Sequence, residues 1–134
     1  MTLNNPINTA GAPKAIGPYS QGIESSAGKM VFCSGQIGLD PSTQNLVSGG
    51  VEAETRRVLD NLQAVLAAAG LSLGHVVKTT IFLTDFNDYG KVNAIYAEYW
   101  KTGPAPARAT VGVSALPRGA KVEIDAIAVQ PAAK

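Results

Sequence analysis

Small and apolar side chains recur at every second position in Ala107, Ala109, Val111 and Val113, which sends Arg108, Thr110 and Gly112 to the other face of an extended strand. A second alternating run follows, with Val122, Ile124, Ala126 and Ala128 on one face and Lys121, Glu123, Asp125 and Ile127 on the other. Leu116, Pro117, Arg118 and Gly119 supply turn residues between the runs, so the two are predicted to pair as a hairpin. With the apolar faces aligned, Arg108 and Thr110 lie on the same side as Glu123 and Asp125. That side has two readings: a weak cross-strand ion pair facing water, or the cation and carboxylate of a site.

Elsewhere the period changes. Val58, Leu59, Leu62, Val65, Leu66 and Ala69 make one stripe of a helix that begins beyond Gly49 and Gly50 and stops at Gly70. Glu52 and Glu54 suit the positive end of its dipole, and Arg56, Arg57, Asp60 and Gln63 form its solvated or subunit-facing side. Residues 76–83, β-branched and aromatic with apolar character on both faces, predict a central strand. A second helix starts near Asp85 or Asn87, carries Val92, Ile95, Tyr96, Tyr99 and Trp100 at helical spacing, and ends at Thr102-Gly103-Pro104. Towards the N-terminus, a short strand through Ile23 turns at Ser26–Lys29 into a second strand, Met30–Ser34. The first dozen residues, polar and broken by Pro6 and Gly11, read as a loosely held leader.

The predicted order is ββαβαββ in one domain over residues 1–134, an α+β arrangement with both helices on one face of a mixed sheet. The opposite face then meets water or another subunit. An apolar content of 46% and the two-sided strand 76–83 favour an oligomer.

Composition removes several chemistries. A net charge of +1, from 11 basic and 10 acidic residues without blocks, gives no footprint for nucleic acid or an anionic membrane. One cysteine, Cys33, and one histidine, His75, leave no internal disulfide and no His/Cys metal cluster. A serine triad needs a histidine and only His75 exists, no Gly-x-Ser-x-Gly elbow is present, and neither phosphate-binding glycine loops nor a His-Glu-x-x-His motif occurs. The N-terminal residues lack the basic and apolar regions of a signal peptide, and no apolar run approaches the roughly 20 residues of a membrane helix, so a cytoplasmic location is expected.

What remains is an arginine, a carboxylate, a phenol, hydroxyls and backbone amides, a set suited to a small α-carboxylate ligand. Tyr19, in the turn-rich Gly17–Gly22, either covers a sheet edge or lines a pocket. Ser34-Gly35 ends a strand where amides can approach a ligand, though ordinary strands end that way too. Asn93 borders the apolar stripe of the second helix and either faces solvent or ties down a loop. Cys33, among apolar neighbours, reads as a packing thiol, and His75 has no companion at useful spacing.

Gly17-Pro-Tyr-Ser-Gln21, Ser34-Gly-Gln36, Ala68-Ala-Gly70, Val77-Lys-Thr-Thr80, Val92-Asn93, Pro106-Ala-Arg108 and the run from Val122 to Val129 together resemble the RidA branch of the reactive intermediate deaminase (Rid) family. The resemblance spans about Ala12 to Val129, in order and without a large gap. It implies a chorismate-mutase-like fold and a homotrimer with clefts between subunits. It implies hydrolysis of enamines and imines such as 2-aminoacrylate, its tautomer 2-iminopropanoate, and 2-iminobutanoate to 2-keto acids and ammonia, with no cofactor or metal. On the matching positions, Arg108 binds the substrate carboxylate, Glu123 positions the attacking water, and Tyr19, Ser34, Gly35 and Asn93 shape the cleft. Thr110 departs from the pattern, since many members carry cysteine two residues after the arginine; its backbone still reaches the substrate. Two other readings stand beside this one: a non-catalytic carrier or sensor of keto acids using the same cleft, and an endoribonuclease or translation inhibitor, which the neutral charge disfavours.

Overall fold

The structure, a computed structural model, describes residues 4–26 and 28–132. Its centre is strand β4, Val76–Leu83, where Val76, Thr79, Ile81 and Leu83 are buried. β4 lies between β6, Val122–Pro131, and β5, Ala107–Gly112, and β3, Gly28–Gln36, closes the other edge in the order β3-β6-β4-β5. β6 is antiparallel to both of its neighbours, whereas β5 runs parallel to β4. A parallel neighbour needs a crossover, and α2, Tyr89–Glu98, provides it.

This topology corrects the expected hairpin. Both alternating runs form strands, yet β4 separates them and they do not pair. The register opposes Thr79 to Arg108 on one side and to Ala126 on the other, and Phe82 to Val111 and Glu123. Partners in register point to the same face, so Arg108 and Thr110 share the face of Thr79, Ile81, Ile124 and Ala126. Glu123 and Asp125 point the opposite way, with Ala109 and Val111. The small apolar side of β5 is therefore not its core side, and Val111 is 41% exposed.

Both helices cover the face that carries Val122, Ile124, Ala126 and Ala128. The stripe of α1, Gly50–Ala68, buries Val58, Leu59, Leu62 and Leu66 completely, while Val65 at its border is 40% exposed. Gly70, at a φ of 77°, allows a left-handed exit in which its N–H donates to Ala67 O and the Leu71 N–H to Leu66 O. Lys29 Nζ donates to the neighbouring Ala69 O, where the helix dipole favours a cation. Glu54, expected to favour the positive end of the helix dipole, is 2% exposed and accepts the Lys121 N–H at 2.8 Å.

Asp85 accepts the Asn87 N–H and opens a 3-10 turn, Phe86–Asp88, that leads into α2. Val92, Ile95 and Tyr96 are buried, and Trp100 donates through Nε1 to Leu73 O at 3.0 Å. Residues on the outer side of α1 are spent on this second helical segment: Arg56 forks onto Glu98 at 3.1 and 3.2 Å, and Tyr99 donates to Asp60. The fork is solvent-exposed, so it registers the helices more than it stabilises them.

Within the stretch expected to be a leader, Asn5–Ile7 forms β1, antiparallel to β2, Gly22–Glu24, and Asn4 is buried with Nδ2 donating to Val129 O. β2 thus pairs with β1 and not with β3; in the turn expected between β2 and β3, Ala27 lies outside the described residues, as do residues 1–3. The sheet face without helices presents Met30 and Phe32, 53% and 69% exposed, together with Val111, Glu123 and Asp125.

If the α1 stripe anchors the core, Leu62→Ala lowers unfolding free energy by about 2–5 kcal/mol. Val65→Ala, one turn along but at the surface, changes it by only about 0.5 kcal/mol. Urea denaturation of the two variants beside wild type measures both.

Candidate functional site

Arg108 projects from the edge strand β5 onto the first turns of α2. Its Nη1 donates to Asn93 Oδ1 at 2.6 Å and its Nη2 to the Tyr89 hydroxyl at 3.0 Å. Tyr89 and Asn93 stand four residues apart, on one face of the helix. The guanidinium carbon lies 5.4, 5.9 and 5.1 Å from the ring centres of Tyr19, Tyr89 and Tyr96, within cation–π range of all three. Gly17 completes the surround, since a Cβ there would stand 3.7 Å from both Arg108 Nη2 and Asn93 Nδ2.

The loop bearing Tyr19 is pinned to the strand entering this cluster: the Ser20 N–H donates to Pro106 O at 3.1 Å, and the Ser20 hydroxyl to Ala105 O. Tyr19 accepts the Ile16 N–H at its hydroxyl, which fixes the ring beside the guanidinium. Beneath, Tyr96 shares a 2.8 Å hydrogen bond with Thr79 Oγ1. Burial pushes its phenol up to about 12, against the smaller opposing pull of Thr79 and Arg108, so Tyr96 stays neutral and does not cancel the arginine's charge. Among the described residues no carboxylate lies within ion-pair distance of Arg108. Thr110, two residues on and on the same face, has its Oγ1 buried without a hydrogen-bond partner among the described residues.

Glu123 belongs to a different cluster. On β3, Ser34 and Gly35 together oppose the single residue Asp125 of β6, a β-bulge between the pairs Cys33–Ala126 and Gln36–Ile124. The bulge brings Gly35 under the Glu123 side chain so closely that a Cβ would lie 2.3 Å from Oε2. Glycine is therefore required at position 35 for the carboxylate to lie where it does. Asp125 is turned inward to the backbone, its Oδ1 accepting the Thr80 N–H at 3.1 Å.

The structure thus brings Tyr19, Asn93 and Arg108 together, with Thr110 beside them, and places Ser34, Gly35 and Glu123 at the bulge on the other sheet face. Tyr89 escaped the sequence reading because it precedes the apolar stripe of α2; its i, i+4 spacing to Asn93 was the available signal. Cys33 and His75 lie outside both clusters. Burial, and behind it the charge of Asp125, raises the Cys33 thiol. His75 Nδ1 accepts the Ser72 N–H in a local capping box. Among the described residues no group of three His, Cys, Asp or Glu side chains could hold a metal, and no helix is long and apolar enough to cross a membrane.

Two helices on one face of a mixed sheet give the chorismate-mutase-like fold of Rid proteins. The family model described as Endoribonuclease L-PSP matches residues 9–130, and the chain belongs to that family, in its RidA branch. It is 63% identical over 123 residues to Protein DfrA of Myxococcus xanthus, covering 92% of this chain and 93% of the relative. It is 53% identical over 124 residues to the 2-iminobutanoate/2-iminopropanoate deaminase of Mus musculus, covering 92% and 90%. Among solved structures, E. coli TdcF with bound serine superposes at a TM-score of 0.73 with 42% identity, covering 94% of this chain and 98% of that one.

A buried thiol with a raised pKa reacts slowly. Cys33 should resist Ellman's reagent in native protein at neutral pH and react fully in urea; immediate stoichiometric labelling of the folded chain would contradict its burial.

Proposed function

We propose that the protein hydrolyses reactive enamines and imines that bear a carboxylate, such as 2-iminobutanoate and 2-iminopropanoate, to 2-keto acids and ammonia. The observation that carries this reading is the half-buried Arg108 guanidinium, surrounded by neutral oxygens and aromatic faces and lacking an anionic partner among the described residues. Two of its five N–H groups are engaged, and the remainder can fork onto a carboxylate. The deaminase named for the mouse relative and the serine bound by the E. coli structure, a ligand with an α-carboxylate, support the same class of substrate.

Hydrolysis requires water to add to the imine carbon. Glu123 positions that water, takes up its proton and passes it to the nitrogen, which gives the carbinolamine. The carbinolamine then collapses: the hydroxyl proton passes to the nitrogen, the C–N bond breaks, the oxygen becomes the keto group, and ammonia leaves. Ser34 and Gly35 shape the side of the cleft under Glu123, Tyr19 and Asn93 the side of Arg108, and Thr110 offers its backbone and orphan hydroxyl next to the carboxylate. No step calls for a cofactor or metal.

Arg108 and Glu123 of one chain point to opposite sheet faces, so they meet only if the site is shared. A homotrimer, the assembly implied by the family resemblance, achieves this by seating the helix-free face of one subunit, with Phe32, Met30 and Val111, against the edge of the next. A cytoplasmic location fits a protein that intercepts short-lived metabolites where they form. Keto-acid carriage without turnover is the competing use of the same arginine.

The test generates 2-iminobutanoate with an amino-acid oxidase and follows its loss. Wild type should accelerate hydrolysis; Arg108→Ala and Glu123→Gln should fold normally and lose activity by roughly 100-fold or more, within the range of positioned acid–base and charge contacts. Gly35→Ala should resemble Glu123→Gln because the added methyl displaces the carboxylate. Keto-acid binding without turnover by wild type would leave the carrier and remove the enzyme.

A further inference from the structure

Of the three tyrosines around Arg108, only Tyr89 directs its hydroxyl at the guanidinium. The Tyr96 hydroxyl is spent on Thr79, and that of Tyr19 on the Ile16 N–H. Arginine's long side chain samples many rotamers, and its fork recognises a carboxylate only when the plane is held. Asn93 alone fixes one terminal nitrogen and leaves the plane free to swing about it. Tyr89 fixes the other, so the two contacts from one helix face set the plane of the fork.

Tyr89 is itself held. Phe86 stacks on it with centres 5.3 Å apart and planes 16° apart, and the ring packs against the core cluster. Phe86 in turn lies 3.6 Å from the Cβ position of Gly112, at the end of β5, and belongs to the 3-10 turn that Asp85 caps. The hydroxyl accepts from Arg108, and its own proton has no acceptor among the described residues. That leaves an O–H beside the fork.

We propose that Tyr89 is a positioning residue for carboxylate recognition, locking the plane of Arg108 through its hydroxyl while Phe86 locks Tyr89. The proposal rests on the carboxylate-binding role of Arg108 given above. It concerns one oxygen atom, which Tyr89→Phe removes while keeping the ring, its stacking and its packing.

The experiment compares wild type and Tyr89→Phe in three measurements: kcat and KM for oxidase-generated 2-iminobutanoate, Kd for 2-oxobutanoate by calorimetry, and the thermal midpoint. A positioning role predicts KM and Kd raised roughly five- to tenfold, kcat within about twofold and an unchanged midpoint, as expected for loss of a charge-assisted contact that serves binding. Unchanged KM and Kd overturn the proposal. A fall in kcat alone, or losses that track a lowered midpoint, also overturn it, by showing a chemical or a structural role. Wild type that binds 2-oxobutanoate but hydrolyses no imine removes the deaminase reading and leaves the Kd comparison to decide Tyr89. Wild type that binds no carboxylate removes both.

Discussion

A guanidinium withdrawn from water needs compensation, and around Arg108 that compensation comes from neutral groups. An aspartate or glutamate in the same place would satisfy the arginine and end its availability. Aromatic faces and the oxygens of Asn93 and Tyr89 instead hold the group without cancelling its charge, and the neutral state of Tyr96 preserves that condition. The surrounding structure follows from this constraint. Thr79 hydrogen-bonds Tyr96 in the core beneath the arginine, and Ser20 ties the loop of Tyr19 to the chain just before β5.

The second constraint is the pleat. In a sheet, a residue's face is fixed by register, and β4 sets the registers of β5 and β6 together. Arg108 falls on the helix-covered face and Glu123 on the bare one, so no side-chain rotation brings them together across the packed core. The intrachain ion pair, one of the two readings of the alternating runs, is thereby removed. What the sheet separates, a neighbouring subunit can join, and the exposed Phe32, Met30 and Val111 supply an apolar surface for it.

Much of the fold was legible because burial imposes a period. The α1 stripe, the two-sided character of β4 and the Asp85 cap each mark their element directly. Strand pairing was not legible, because alternation identifies a strand and its faces but not its neighbour, and Ala109 and Val111 imitate a core face on an edge strand. Motif resemblance named the candidate site residues, whereas their division between two sheet faces could not be read from it. Tyr89 went unread because an aromatic at a helix start looks like packing until its hydroxyl is seen on Arg108.

The central claim is that Arg108 of one subunit and Glu123 of another make one site. Its most direct test co-expresses Arg108→Ala and Glu123→Gln chains with different tags, isolates assemblies that carry both, and assays imine hydrolysis. In a ring of three, such mixed assemblies contain one junction with both native residues, so roughly one-third of wild-type activity should return from two inactive parents. Mixed assemblies as inactive as their parents would contradict a shared site.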